Sequence, residues 1–152
     1  MISIKNKVVW ITGASSGIGE ALAYKFAKAG ARLIISARRA DELERVKRNC
    51  SLAEDRILVM PLDVSDYQSI GMKSGEVINK FGAVDILVNN AGIHLKKPMI
   101  EVSDDEYHQV ILTNQKSVFS ISREVAKHML RRQKGAILNI SSMASQYGLP
   151  NV

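Results

Sequence analysis

The stretch Thr12-Gly13-Ala14-Ser15-Ser16-Gly17-Ile18-Gly19 follows a short apolar run, Val8-Val9-Trp10-Ile11-Thr12, without a break and opens a segment of helical period. Glycine permits the tight turn such a junction needs and lets backbone N–H groups come close to a ligand. The helix beginning there presents the positive end of its dipole, so a pyrophosphate is the ligand that fits. Three glycines are also compatible with a turn and nothing more; their place between a strand and a helix is what favours binding. Gly13, Ser15, Ser16, Gly17, Ile18 and Gly19 are the candidate contacts.

Outward from this turn, short apolar runs at 8–12, 32–36, 57–60, 85–88 and 136–140 alternate with helical patterns at about 17–29, 40–51, 66–81 and 104–132. Ile18, Leu22, Phe26 and Ala29 recur at helical spacing and predict one buried face of the first helix. Ser103 with Glu106 predicts a capping box, and Gly30 and Gly82 mark helix ends. Such alternation with continuous apolar strands predicts a Rossmann-type doubly wound parallel sheet of about five strands, covered on both faces. The sheet is expected to be incomplete. Gly148-Leu149-Pro150-Asn151-Val152 closes the sequence where such sheets normally add a helix and a strand, so the fifth strand keeps an open edge. Marginal stability or aggregation is the expected cost. With no repeat, linker or low-complexity segment, residues 1–152 read as one dinucleotide-binding unit.

Composition agrees with that reading. A hydrophobic fraction of 46% with 24% charged residues belongs to an ordered globular chain. The excess of 21 Lys and Arg over 15 Asp and Glu admits a nucleic-acid partner. However, Arg131-Arg132-Gln133-Lys134 lies where a helix should end, and cations there complement the helix dipole. No nucleic acid and no membrane is expected as a partner, since no stretch approaches the roughly 20 apolar residues of a span. Lys5 and Lys7 ahead of the first apolar run faintly suggest a leader, but that run is too short and passes straight into glycines. The single cysteine, Cys50, cannot form an internal disulfide, and a cytoplasmic location is expected. His94, His108 and His128 lack ligand spacing, so no metal site is expected.

The spacing T-G-x-x-x-G-x-G, together with Asn89-Asn90-Ala91-Gly92 after the fourth strand, resembles the short-chain dehydrogenase/reductase family over the whole chain. The resemblance implies hydride transfer between a nicotinamide cofactor and an alcohol or ketone. It places Asn90, Ala91 and Gly92 on the cofactor floor, with Asn89 mainly holding the central strands together. Asp63 and Val64 match the family position that contacts adenine; Asp63 could equally cap the following helix.

The second strand ends Ser36-Ala37-Arg38-Arg39. A carboxylate near this point usually accepts from the ribose hydroxyls of NAD(H) and would repel a 2′-phosphate. Here Ala37 stands in that place and Arg38 follows, and a guanidinium pairs with a phosphate bidentately. The pattern resembles members that prefer NADP(H), with Arg38 selecting and Arg39 helping. The other reading makes both arginines solvated charges at a loop start.

Tyr107, Ile111, Asn114, Val118, Ile121 and Val125 predict one continuous face of the long helix. A buried amide there needs partners or costs on the order of 1–3 kcal/mol, so Asn114 is a tolerated core residue, a boundary position near water, or functional. The resemblance gives it a water-holding role in a proton relay. Asn139-Ile140-Ser141-Ser142-Met143 ends the fifth strand, and the match assigns Ser142 to the catalytic serine, with Ser141 its neighbour.

Reducing a carbonyl leaves an alkoxide that needs a proton donor. The family uses a Tyr with a Lys four residues on, which the spacing would put a few positions past Val152. Two imitations fail. Tyr24 and Lys28 have the right interval but lie in the first helix, expected on its solvated side, and Tyr147 has Asn151, not Lys, four residues later. The expectation is therefore an NADP(H)-dependent oxidoreductase represented up to, but not including, its Tyr–Lys pair. The chain would bind cofactor without turnover, and the full-length form would be a homo-oligomer. The competing reading is a non-catalytic dinucleotide-binding or interaction module.

Overall fold

The computed structural model of the chain describes residues 3–148. Five strands, β1 (Val8–Thr12), β2 (Arg32–Ala37), β3 (Ile57–Pro61), β4 (Ile86–Asn89) and β5 (Ala136–Asn139), form one sheet in the order β3-β2-β1-β4-β5. Every pairing is parallel, with Trp10 of β1 opposite Ile34 on one side and Leu87 on the other. The expected doubly wound sheet is therefore the observed one. The connections step from β1 to β2 and β3, then reverse to β4 and β5. The strand order thus turns back between β1 and β4, where such sheets hold their ligands.

Because successive strand residues point to opposite faces, β1 feeds two cores. Val8 and Trp10 pack with Ile34 and Leu87 beneath α3 (Ile70–Phe81) and α5 (Ser117–Arg132). Val9 and Ile11 pack with Leu33 and Ile35 beneath α1 (Gly17–Lys28) and α2 (Ala40–Cys50). Both faces of β1 are sealed, so the turn that leaves it starts from a rigid base. Cys50 is buried in the second core, and that burial pushes its thiol up to about 11, the inert end of thiol chemistry.

The structure rotates the first helix from its predicted face. Gly19, Ala23 and Ala27 are buried, whereas Ile18 is 61% exposed and Leu22 and Phe26 are half-buried at the rim. Small residues let α1 lie close to the sheet, and close approach decides the face over side-chain size. Gly30, with φ of +78°, follows the last turn as expected, and Gly82 caps α3 in the left-handed region.

The third helix begins at Ile70, not at residue 66. Asp63 Oδ1 accepts from both the backbone N and the hydroxyl of Ser65, and Asp66 and Ser69 close further turns. These local bonds outcompete helix there. Asp63 thus shapes a turn and does not cap α3.

The long helix is two helices, α4 (Asp104–Ile111) and α5, joined by a π-helical turn at Leu112–Lys116. The capping box at Ser103 and Glu106 forms as expected. One extra residue in the turn rotates everything beyond it by about 100°, so the predicted face breaks. Ile121 and Val125 are buried, Ile111 and Val118 are half-buried, and Tyr107 and Asn114 are exposed. Asn114 is therefore not a core residue but the alternative position near water. Arg131 and Arg132 do occupy the last turn of α5, and Arg132 pairs with Asp85 at 2.9 Å.

β5 is an edge strand whose residues are all exposed, including Ile137 and Leu138. The expected covering on both faces does not extend to it among the described residues. Leu149 to Val152, including the Asn151 set against Tyr147, lie outside the described residues. No helix among the described residues is long and apolar enough to cross a membrane.

Candidate functional site

Thr12 ends β1 and its side chain joins the two halves of the sheet. Its hydroxyl donates to the carbonyl of Val88 and accepts from the backbone N–H groups of Asn90 and Ala91, at 3.0 and 3.1 Å. Asn90 answers through its amide, which donates to the carbonyls of Thr12 and Gly13. The glycine turn and the loop after β4 are thus laced together by a reciprocal set of bonds.

Glycine is needed in this lacing for two different reasons. Gly13 has φ of +67°, and a Cβ there would stand 2.7 Å from the Ala91 Cα. A Cβ at Gly19 would collide with the carbonyl oxygen of Gly13 and reach within 2.6 Å of the Asn90 amide. Gly17 also has a positive φ, but a Cβ there meets open space, so only its backbone conformation demands glycine.

A cleft of about 350 Å³ opens above the C-terminal ends of β1 to β4. Gly13, Ser15 and Ser16 line it from the turn, Arg38 and Arg39 from the end of β2, and Asp63 and Val64 from the end of β3. Asn90, Ala91 and Gly92 close it from β4. Ten of the residues singled out in the sequence therefore meet in one cavity. Gly17, Ile18 and Gly19 form the first turn of α1 and do not line it, nor do Asn114 and Ser142.

The charges around the cleft are organised. Arg39 donates to the Ser15 hydroxyl at 3.3 Å across the turn. The Ser65 bonds, with Arg38 adding its positive charge, hold the Asp63 carboxyl below its ordinary range although burial opposes this. At the N-terminus of α1, Ser16 has extended backbone and its side chain makes no capping hydrogen bond. The first-turn N–H groups are thus not taken up by the usual cap.

Asn114 sits in the π-helical turn and is spent on one residue. Its Oδ1 accepts from the Ile93 N–H at 2.8 Å, and its amide donates to the Ile93 carbonyl at 2.6 Å. Gly92 makes room for this, since a Cβ there would lie 3.3 Å from Asn114 Oδ1. Asn89, buried, donates to Ser122 and to Asn139 at 2.9 Å each, so it ties β4 to β5 and α5 as expected. Ser142 is exposed just beyond β5, and its hydroxyl accepts from the Ala144 N–H. Ser142 follows β5, which pairs with β4, and the Asn114 turn follows α4.

Sequence reasoning missed Leu62, Ile93 and Thr113, which also line the cleft. The adjacency of Thr113 to Asn114 was the available signal for one of them. Tyr24 is not on a solvated side: it is half-buried and donates to Glu20 at 2.7 Å. Its Y-x-x-x-K interval with Lys28 is a coincidence of α1.

A family model described as short chain dehydrogenase matches residues 7–152. The chain belongs to that family. Human dehydrogenase/reductase SDR family member 7 is 42% identical over 151 residues, covering 97% of this chain and 44% of the relative. The 5-keto-D-gluconate 5-reductase of Escherichia coli is 34% identical over 148 residues, covering 97% of this chain and 58% of the relative. This short chain dehydrogenase sequence thus spans about half the length of the curated relatives it matches. The crystal structure of a metagenomic short-chain oxidoreductase in complex with NADP matches with a TM-score of 0.92 at 32% identity. That match covers 99% of this chain and 68% of the other. The TM-score agrees with the parallel sheet described above, and the glycine turn lies within the matched residues.

Proposed function

We propose that residues 1–152 form one cofactor-binding unit of an oxidoreductase that uses NADP(H) in preference to NAD(H) on an alcohol or ketone. The observation carrying this reading is the single cleft in which the glycine turn, Arg38 and the Asn90-Ala91-Gly92 loop meet. The donor set fits a dinucleotide. A helix N-terminus without its side-chain cap suits the pyrophosphate, and Gly13, Ser15 and Ser16 bring the turn ahead of it to the cleft. Arg38 and Arg39 offer guanidinium groups to a 2′-phosphate, and no carboxylate stands at Ala37 to repel it. The bound nicotinamide supplies hydride chemistry.

The remaining roles belong to this chain's own side chains. Ser142, at a strand end, donates its hydroxyl proton in a hydrogen bond to the substrate oxygen. Asn114, fixed through Ile93, holds the π-helical turn open and keeps a water in place for proton delivery. The proton itself requires a Tyr with a Lys four residues later, and this sequence has no such pair after Ser142. A single buried cysteine is compatible with the reducing cytoplasmic compartment this reading proposes, and the proposed enzyme acts as a homo-oligomer.

Titration of the chain with NADPH and NADH, followed by nicotinamide fluorescence, tests the cofactor assignment. Arg38→Asp is expected to weaken NADPH by roughly thirtyfold, the equivalent of about 2 kcal/mol, and to leave NADH nearly unchanged. Equal losses for the two would reject Arg38 as the selecting residue. A second expectation concerns turnover. The 152-residue chain with NADPH should reduce simple ketones at the background rate, and measurable NADPH consumption would overturn the assignment of the proton donor.

A further inference from the structure

We infer that Arg45, which lies outside every recognised motif of the sequence, is a positioning residue for the glycine turn. The inference rests on the reading of the cleft as a dinucleotide site. Arg45 stands on α2, and its guanidinium reaches three parts of the fold. Nη1 and Nη2 donate to the two carboxylate oxygens of Glu20 on α1 at 2.7 and 2.9 Å. Nε donates to Glu42 at 2.9 Å, and Nη2 also donates to the backbone carbonyl of Ser15 at 3.3 Å.

Two consequences follow, one geometric and one electrostatic. No peptide among the described residues is cis, and in a trans peptide the C=O and N–H point in opposite directions. Ser15 and Ser16 line the cleft and Arg45 does not. Anchoring the Ser15 carbonyl on Arg45 therefore turns the Ser16 N–H the other way, toward the ligand side. On that side, Arg39 holds the Ser15 hydroxyl.

The electrostatic consequence concerns Glu20, which lies in the first turn of α1. A carboxylate at that place stabilises a bare helix terminus, but it repels an anion bound there. The fork of Arg45, helped by the Tyr24 hydroxyl, pulls the Glu20 carboxyl down to about 2, so its charge is present and answered at once. Without Arg45, the same carboxylate would face the phosphates uncompensated.

Calorimetric titration of the chain with ADP and with adenosine separates this role from a general loss of fold. Arg45→Met is expected to weaken ADP by about tenfold while changing adenosine by less than about twofold, since only ADP carries phosphate. Adding Glu20→Gln to Arg45→Met should restore part of the ADP affinity by removing the repulsion. Arg45→Lys, which keeps the charge but not the fork, should fall between, and it carries the same ADP-to-adenosine comparison if Arg45→Met fails to fold. Unchanged ADP binding by Arg45→Met, or equal losses of ADP and adenosine, would overturn the inference and leave the cleft assignment intact. A wild-type chain that bound neither ligand would overturn both.

Discussion

Gly19→Ala is expected to abolish measurable dinucleotide binding and to lower the melting temperature of the chain by about 10 °C. The added methyl meets the carbonyl oxygen of Gly13, and the carbonyl carbon stands only 2.9 Å away. Neither is the far end of a flexible side chain. Relief requires α1 to move off the sheet or the glycine turn to shift, and the turn is held by Thr12 and Asn90 from both sides. Overpacking of this kind costs about 3 kcal/mol, and moving the turn also displaces the first-turn N–H groups proposed to meet the pyrophosphate. Gly75 of α3 supplies the control, because a Cβ there meets nothing within 4 Å. Gly75→Ala should raise stability by about 0.5–1 kcal/mol through helix propensity alone. Differential scanning fluorimetry of the two variants, each with and without NADPH, checks both expectations. A Gly19→Ala chain melting with the wild type would refute the close approach described for α1.

Trp10→Ala is expected to remove most of the stability. Trp10 is completely buried at the centre of β1, beneath α3 and α5, and its indole N–H donates to the Ser36 hydroxyl at 2.8 Å. Truncation forfeits about 3–5 kcal/mol of packing. It also leaves the fully buried Ser36 hydroxyl without its donor, a further cost of about 1 kcal/mol or more. Against a total of about 5–15 kcal/mol for a domain, such a loss populates the unfolded state. Trp10→Phe keeps much of the volume but not the N–H, and should lose less than half as much. Urea unfolding followed by far-ultraviolet circular dichroism is the measurement, since Trp10 is the single tryptophan and its removal silences intrinsic fluorescence. A midpoint for Trp10→Ala close to that of the wild type would contradict the packing described here.

Much of the fold was legible because it is written in local patterns. Continuous apolar strands need cover on two faces, and glycines, a capping box and cations marked where helices start and stop. The departures are equally physical. Ile18 and Phe26 were predicted inside because apolar residues recur there at helical spacing, yet α1 buries Gly19, Ala23 and Ala27. The distance between a helix and a sheet is a property of two elements, and no periodicity within one of them records it. Residues 66–69 were predicted helical, but side-chain bonds of Asp63 and Asp66 with nearby backbone hold the segment before Ile70 as turns. The π-helical turn at Asn114 is the clearest case. Its extra residue forms where Asn114 engages Ile93, twenty-one positions earlier, and that contact is invisible to a helical-wheel reading.

The candidate site divides along the same line. The motif residues that line the cleft were legible because each motif is a short run whose chemistry is carried locally, whereas Gly17, Ile18 and Gly19 stand outside it. Arg45 was not, because its three partners lie on α1, on α2 and in the glycine turn, and only folding brings them to one guanidinium. The sequence by itself determined the order of the elements and the parallel sheet, since periodicity and turn chemistry act over a few residues. The tertiary structure decided which face of α1 is buried, where the long helix breaks and how the charge of Glu20 is answered, since close approach and charge pairing act between segments far apart in the chain.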